Sequence, residues 1–206
     1  MVRSPSDFAT FVQIILIMKR IFSHIQLRIL RLFKPVMLSG FKRHDGVWLP
    51  KTRYGSTTLF EAKDKLDIED NVFINHYCFI DASNGLRIGE GSQICSWVSL
   101  LTHSSHISIR LYGKHYGGTE MKGYVRGSVD IGAYTFVGPH AIVMPNSRVG
   151  KGSIIAAFSY VKGDFPDFSI IAGNPAKVVG DTRKIDEQFL KDNPELQVYY
   201  NEWAGN

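Results

Sequence analysis

The sequence predicts an all-β core in which short strands wind into a triangular coil, with amphipathic helices before it and a short helical segment after it. Three observations carry that expectation. Aliphatic residues fall six apart in sets of three: Ile68, Ile74, Ile80; Ile88, Ile94, Leu100; Ile131, Val137, Val143; Val149, Ile155, Val161. Four residues after many of them stands a small or modest side chain, as at Val72, Cys78, Ser92, Val98, Thr135, Ala141, Ser147, Ser153 and Ser159. The residue just after is often glycine or short and polar, as at Gly89, Gly132, Gly138, Gly150, Asn75 and Asp81. A helix wants a period of about 3.6 and a half-buried strand a period of 2, and six over this length satisfies neither. Three short strands per turn satisfy it, each giving one aliphatic side chain to a narrow core, with the permissive residues at the corners.

Residues 1–60 form a basic extension. Ten Lys and Arg stand there against Asp7 and Asp45, a balance of +8, whereas the whole chain of 206 residues carries +5. The body is therefore slightly acidic and makes no broad electrostatic case for nucleic acid. Arg20, His24, Arg28 and Arg31 recur at helical spacing, and Ile14, Ile17, Ile21, Ile25, Ile29 and Phe33 follow the opposite stripe, until Pro35 stops the helix. Two readings stay open: a cap on the end of the coil, or a helix lying on an anionic membrane surface. The apolar run Phe8–Met18 is too short for a membrane span, which needs roughly 20 residues. It precedes Lys19-Arg20 without a small-residue cleavage site, so a secretory signal is not expected.

The coil is expected over 61–180 and breaks twice. Two extra residues enter at Asn84-Gly85-Leu86-Arg87, and a long segment, 102–128, leaves the coil between Leu100 and Ile131. A loop of that length in a compact solenoid is usually functional. Residues 181–206 read as a helical tail, with Phe189, Leu190 and Leu196 packing on the coil and Tyr199, Tyr200 and Trp203 following. A hydrophobic share of 44% with 21% charged residues excludes disorder as the default. Two cysteines, Cys78 and Cys95, exclude a disulfide scaffold, fall short of a zinc site, and suit a reducing compartment as buried apolar groups.

The repeats, the closing segment Ile170–Gly180 (IIAGNPAKVVG) and the stretch Leu100–His106 (LLTHSSH) with its loop and re-entry resemble the hexapeptide-repeat acyltransferases. Within them the chain is most similar to the branch of maltose and galactoside O-acetyltransferases, and to the sugar O-acetyltransferases of bacterial surface polysaccharides. The resemblance covers roughly residues 66–180. It implies a left-handed parallel β-helix, acetyl-CoA as co-substrate, a homotrimer with sites between subunits, and a sugar or lipid-linked glycan as acceptor. It places the catalytic histidine at His103 and an asparagine of the galactoside type at Asn75. It lines the donor path with Ala157, Ser159, Lys162 and Lys177, the lysines meeting CoA phosphates as point charges.

Transfer of an acyl group to a hydroxyl needs a base for the proton and donors for the tetrahedral oxyanion. The coil arithmetic puts Asp81 one rung from Leu101, near His103, where its carboxylate could orient the imidazole or hold an acceptor hydroxyl. If the loop returns in phase, Val143 stacks on Leu100 and Asn146 lies beside His103. In a single chain Asn75 falls on another face from His103. His76, His103, His106 and His140 lack the paired spacing of a catalytic zinc site, so no metal is expected. Arg110, Lys114 and Arg126 in the loop suit an acidic or diphosphate-linked sugar, or simply solvent. The sequence thus reads as a cytoplasmic acyl-CoA-dependent O-acyltransferase, with acetyl expected, in surface-polysaccharide assembly and with peripheral membrane contact open. N-acylation of a nucleotide-linked amino sugar and a non-catalytic β-helix module are the alternatives.

Overall fold

The computed structural model describes Met18, Lys19, Phe22 and Ile25, residues 34–118 and residues 120–205. The chain divides into a unit of residues 1–36 and a unit of residues 37–206. In the first, Met18, Lys19, Phe22 and Ile25 are helical, and the remainder of the amphipathic stripe and its basic face lies outside the described residues.

The second unit is a three-faced coil of parallel strands, the left-handed parallel β-helix. Its first face stacks Trp48–Gly55, Phe73–Ile74, Gln93–Ile94, Phe136–Val137, Ile154–Ile155 and Ser169–Gly173. The second stacks Leu59–Glu61, Phe79–Asp81, Ser99–Leu100, Ile142–Val143 and Tyr160–Val161; the third stacks Leu66–Ile68, Leu86–Ile88, Val129–Ile131, Ser147–Val149 and Asp164–Phe165. Antiparallel strands close both edges of the first face, Met37–Lys42 on one side and Ala176–Asp181 on the other. Open strand edges invite unwanted pairing, and these two strands cover them. The expected boundary at residue 60 is therefore corrected: the hairpin Met37–Gly55 already belongs to the sheet, and Tyr54 pairs with Ile74.

The twelve aliphatic residues of the six-residue repeat are all at most 1% exposed. Register turns them into columns. Ile74, Ile94, Val137, Ile155 and Ile171 form one, and Ile80, Leu100, Val143 and Val161 another. Val143 does pair with Leu100, so the long loop returns in phase.

The corners differ from expectation in a physically informative way. Permissive backbone was expected at the glycines beside the repeat, yet Gly132 has no positive φ and is required by close approach instead. A Cβ there would stand 2.4 Å from the Lys151 amide nitrogen on the next coil. The left-handed position falls two residues later and is often aromatic: Tyr77, Trp97, Tyr134, His140, Phe158 and Phe168 have φ of 55–66°. Each such residue costs about 1 kcal/mol or more, and stacking of about 0.5–1.5 kcal/mol per pair offsets it. At one corner the rings form a ladder: Tyr77 on Trp97 at 4.4 Å, Trp97 on His140 at 6.0 Å, and His140 on Phe158 at 4.7 Å. At another, Tyr134 and Phe168 are met by Trp203 at 4.7 and 5.9 Å. The tail helices Thr182–Asp192 and Gln197–Ala204 thus dock through Trp203. Phe189, expected to pack on the coil, is 61% exposed.

The outward rows divide the prism chemically. On the third face Asp67, Arg87, Asp130, Arg148 and Asp164 follow one another rung by rung, alternating in sign. Arg87 pairs with Glu69 at 2.6 Å and Asp130 at 3.1 Å. The second face presents Leu59, Phe79, Ser99, Ile142 and Tyr160, with no charge. Truncating the middle of a core column tests the packing. Ile94→Ala should cost about 2–5 kcal/mol of stability, read as a shift of the urea unfolding midpoint at unchanged slope.

Candidate active site

The site grows from the two departures from the repeat. The extra residues after Ile80 let the chain turn at Ser83-Asn84-Gly85, where Gly85 takes φ of 90° and its N–H donates to the Ala82 carbonyl. That turn encloses Asp81, whose side chain is fully buried. One carboxylate oxygen, Oδ1, accepts from the Ser83 amide at 2.8 Å; Oδ2 accepts from the Thr102 amide and the Thr102 hydroxyl, each at 2.8 Å. Burial pushes this carboxyl up, but the hydrogen bonds from Ser83 and Thr102 outweigh it and hold the group below its ordinary value. Asp81 is therefore an ionised carboxylate inside the corner.

The second departure carries His103. The strand His103–Ser104 pairs antiparallel with Val125–Arg126, so the loop leaves and returns through a two-stranded neck. The Gly127 amide donates to the Thr102 carbonyl at 3.0 Å, and the Asn146 carboxamide donates to the Arg126 carbonyl at 3.1 Å. Asn146, expected beside His103 on geometry alone, thus binds the far strand of the neck to the next coil. Between the neck strands the loop forms a short helix, Ser108–Tyr112, with Ser108 fully buried.

In this setting His103 Nδ1 lies 2.8 Å from Asp81 Oδ2, and the imidazole is about a third exposed. The distance is that of a hydrogen bond, but the approach is off the N–H direction, so Nδ1 makes no well-formed hydrogen bond. The Tyr124 ring lies parallel over the imidazole, with centroids 5.7 Å apart and planes 9° from each other. An imidazole with its Nδ1 edge on a buried carboxylate can take a proton at Nε2, the positive charge then being matched by Asp81.

Sequence reasoning placed Asp81 near His103, as the structure has them, and did not anticipate Thr102, Ser83 and Tyr124 around them. Thr102 and Ser83 were legible in principle, since a carboxylate placed inside a corner must find donors close by. Nothing in the repeat signals Tyr124, because the loop around it has no period.

The other expected residues fall elsewhere. Asn75 stands at the aromatic corner, where its side chain accepts from the His76 amide at 2.8 Å, and within one chain it does not join His103. His106 bonds Ser104 Oγ through Nδ1 at 2.8 Å. Among the described residues no three His, Cys, Asp or Glu side chains form a metal-holding group. Ala157, Lys162 and Lys177 are exposed. Ser159 is buried, and its hydroxyl accepts from the Gly173 amide at 3.3 Å, so it faces the coil rather than the surface. Cys78 is buried as expected, whereas Cys95 is only half-buried, and both are free. A concavity of about 540 Å³ between Tyr134, Ile185, Phe189, Tyr199 and Trp203 does not include His103 in its lining. His103, about a third exposed, stands outside that hollow.

Residues 128–163 match the family model described as bacterial transferase hexapeptide (six repeats). That match covers part of the coil, and the β-helix seen here is the architecture such repeats build. The Escherichia coli protein WbbJ, named as a lipopolysaccharide biosynthesis O-acetyl transferase, is 28% identical over 137 residues, which is 65% of this chain and 66% of WbbJ. A Staphylococcus aureus protein named as an acetyltransferase is 45% identical over 62 residues, 30% of each chain. The chain thus spans just under two thirds of the one relative and under a third of the other. Among solved structures, galactoside acetyltransferase in complex with coenzyme A superposes with a TM-score of 0.54 at 24% identity, covering 63% of this chain and 62% of that one.

Asp81 gives the site an acid-sensitive component of stability. Its carboxyl is held below the ordinary value of about 3.9. The stabilisation is therefore complete above that value and lost as pH falls through the folded-state value. Asp81→Asn keeps the shape but turns an amide toward donors, so it should cost roughly 1–3 kcal/mol at pH 7. Urea unfolding at pH 7 and pH 3.5 should show that difference shrinking in acid.

Proposed function

We propose that the protein is an acetyl-CoA-dependent O-acetyltransferase acting on a sugar hydroxyl in bacterial surface-polysaccharide assembly, with His103 as general base. The observation that carries the reading is the loop-borne imidazole set 2.8 Å from a buried, ionised carboxylate. A scaffold built only to stack coils has no need of either. The likeness to WbbJ supports the choice of acceptor class.

In the proposed reaction both substrates are bound together. The acceptor hydroxyl gives its proton to His103 Nε2 as its oxygen attacks the thioester carbonyl. The tetrahedral intermediate collapses with cleavage of the carbon–sulfur bond. The departing thiolate of CoA takes the proton back from the imidazolium, and acetyl remains on the sugar oxygen as an ester. Asp81 keeps Nδ1 facing inward and balances the transient charge. CoA supplies the activated acetyl group. Exposed Lys162 and Lys177 would meet its phosphates, and Ala157 lines its path. Ser159 serves that path from inside, holding the closing strand by its bond from Gly173.

We further infer a homotrimer with three equal clefts. Support comes from the outer surface: the uncharged row Leu59, Phe79, Ser99, Ile142 and Tyr160 on the second face, the exposed ladder of Tyr77, Trp97, His140 and Phe158, and a third face on which Arg87 is paired with Glu69 and Asp130. Exposed apolar bands of this extent are characteristic of interfaces. A neighbouring copy is also what could bring the corner bearing Asn75 to His103. We place the enzyme in the cytoplasm, where acetyl-CoA is made. The +8 balance of residues 1–60 supports contact with anionic lipid. No helix among the described residues is long and apolar enough to cross a membrane.

His103→Ala should lower turnover by about 10²–10⁴ with the fold intact, measured as CoA release across a panel of free sugars and lipid-linked glycans. Near-normal release would end the assignment. Light scattering at micromolar concentration should return three chains. Trp97→Glu should return smaller species with reduced turnover, while a fully active single chain would count against the trimer.

A further inference from the structure

Two flat groups flank the Tyr124 ring at the neck of the loop within 6 Å of its centre. The His103 imidazole faces the Tyr124 ring at 5.7 Å, and the Arg126 guanidinium carbon stands 5.0 Å from the centre of that same ring. The neck explains why they meet. His103 and Arg126 are direct partners across the antiparallel pair. Side chains two apart on an extended strand share a face, so Tyr124 falls on the diagonal to His103, within reach of an aromatic ring. The backbone before it is fixed as well. The Tyr124 amide donates to the Met121 carbonyl at 3.1 Å, and Gly123 takes φ of 82° while pressed against Ile107.

The contact of His103 with Asp81 is short but poorly aligned, so it does not by itself fix the plane of the ring. An imidazole about a third exposed, restrained only along one edge, can turn about its side-chain bonds toward solvent. A parallel ring over its face removes that freedom.

We propose that Tyr124 is a positioning residue for His103: it sets the plane of the imidazole and so aims Nε2, while Arg126 packs against the Tyr124 ring. The inference rests on the reading of His103 as the base. It makes the loop part of the reacting geometry rather than an appendage, because the strand that returns from the loop supplies the wall on which the ring rests. The phenol hydroxyl has no part in it. Only the ring does.

Two substitutions and one observation on the unmodified protein test this. In the unmodified protein the carbon-bound ring protons of His103 should show the upfield displacement that a stacked aromatic ring produces, assigned by its loss in His103→Ala. Ordinary positions for those protons would overturn the proposal without any variant. Tyr124→Phe should keep the displacement and keep kcat within twofold. Tyr124→Leu should lose the displacement and lower kcat roughly three- to tenfold, with KM for acetyl-CoA unchanged on the best acceptor from the CoA-release panel. Carbethoxylation of His103 by diethyl pyrocarbonate, followed by mass spectrometry, should be faster in Tyr124→Leu and unchanged in Tyr124→Phe. Equal reactivity in all three proteins would also overturn it. A Tyr124→Leu protein with full turnover, beside an inactive His103→Ala, would refute the positioning role alone. Full turnover in His103→Ala would instead remove the base reading on which it rests.

Discussion

Register between coils is the constraint on which everything else in this molecule depends. Strands about 4.8 Å apart must place like side chains over like side chains, since a slip of one residue turns the whole buried set outward. The columns headed by Ile74 and Ile80 are the result. Once that register holds, the corners, outer rows and insertions all acquire fixed positions relative to one another. The bare Cα at Gly132 follows from the same demand, because the neighbouring coil comes too close to admit a side chain.

The site arises where the repeat is interrupted without losing register. Two residues added after Ile80 make room for a turn that surrounds Asp81 with donors, and the excursion between Leu100 and Ile131 carries His103. The two interruptions stand on adjacent coils at the same corner. Thr102 joins them, since it donates twice to Asp81 and its carbonyl accepts from Gly127 of the returning strand. A buried carboxylate with four close polar contacts is costly to create and difficult to displace, so Asp81 is a fixed point beside the His103 imidazole.

The outer surface shows how one repeat can serve two environments. On the third face Asp130 meets Arg87 on one neighbouring rung and Arg148 on the other, and such a charged face can remain in water. The aromatic corners behave differently although their backbones are alike. Trp203 covers the one at Tyr134 and Phe168, whereas the ladder from Tyr77 to Phe158 keeps its edges exposed. Corner conformation is thus a property of the coil, and what meets each corner is decided by the chain outside it.

The sequence by itself determined the coil, since a six-residue period of aliphatic side chains is compatible with few other architectures and each of the twelve positions is buried. It also brought His103 and Asp81 together, because both stand at the breaks in that period and the spacing of coils puts breaks on neighbouring rungs side by side. What it did not determine has the same cause throughout: the information is not periodic. The sheet begins at Met37 because an antiparallel strand covers the open edge, an interaction that leaves no six-residue mark. The tail docks through Trp203 rather than Phe189 because the ring must meet Tyr134 and Phe168, which are distant in sequence. Tyr124 lies over His103 because the loop returns as a strand in antiparallel register with it, and only the tertiary structure decides that register.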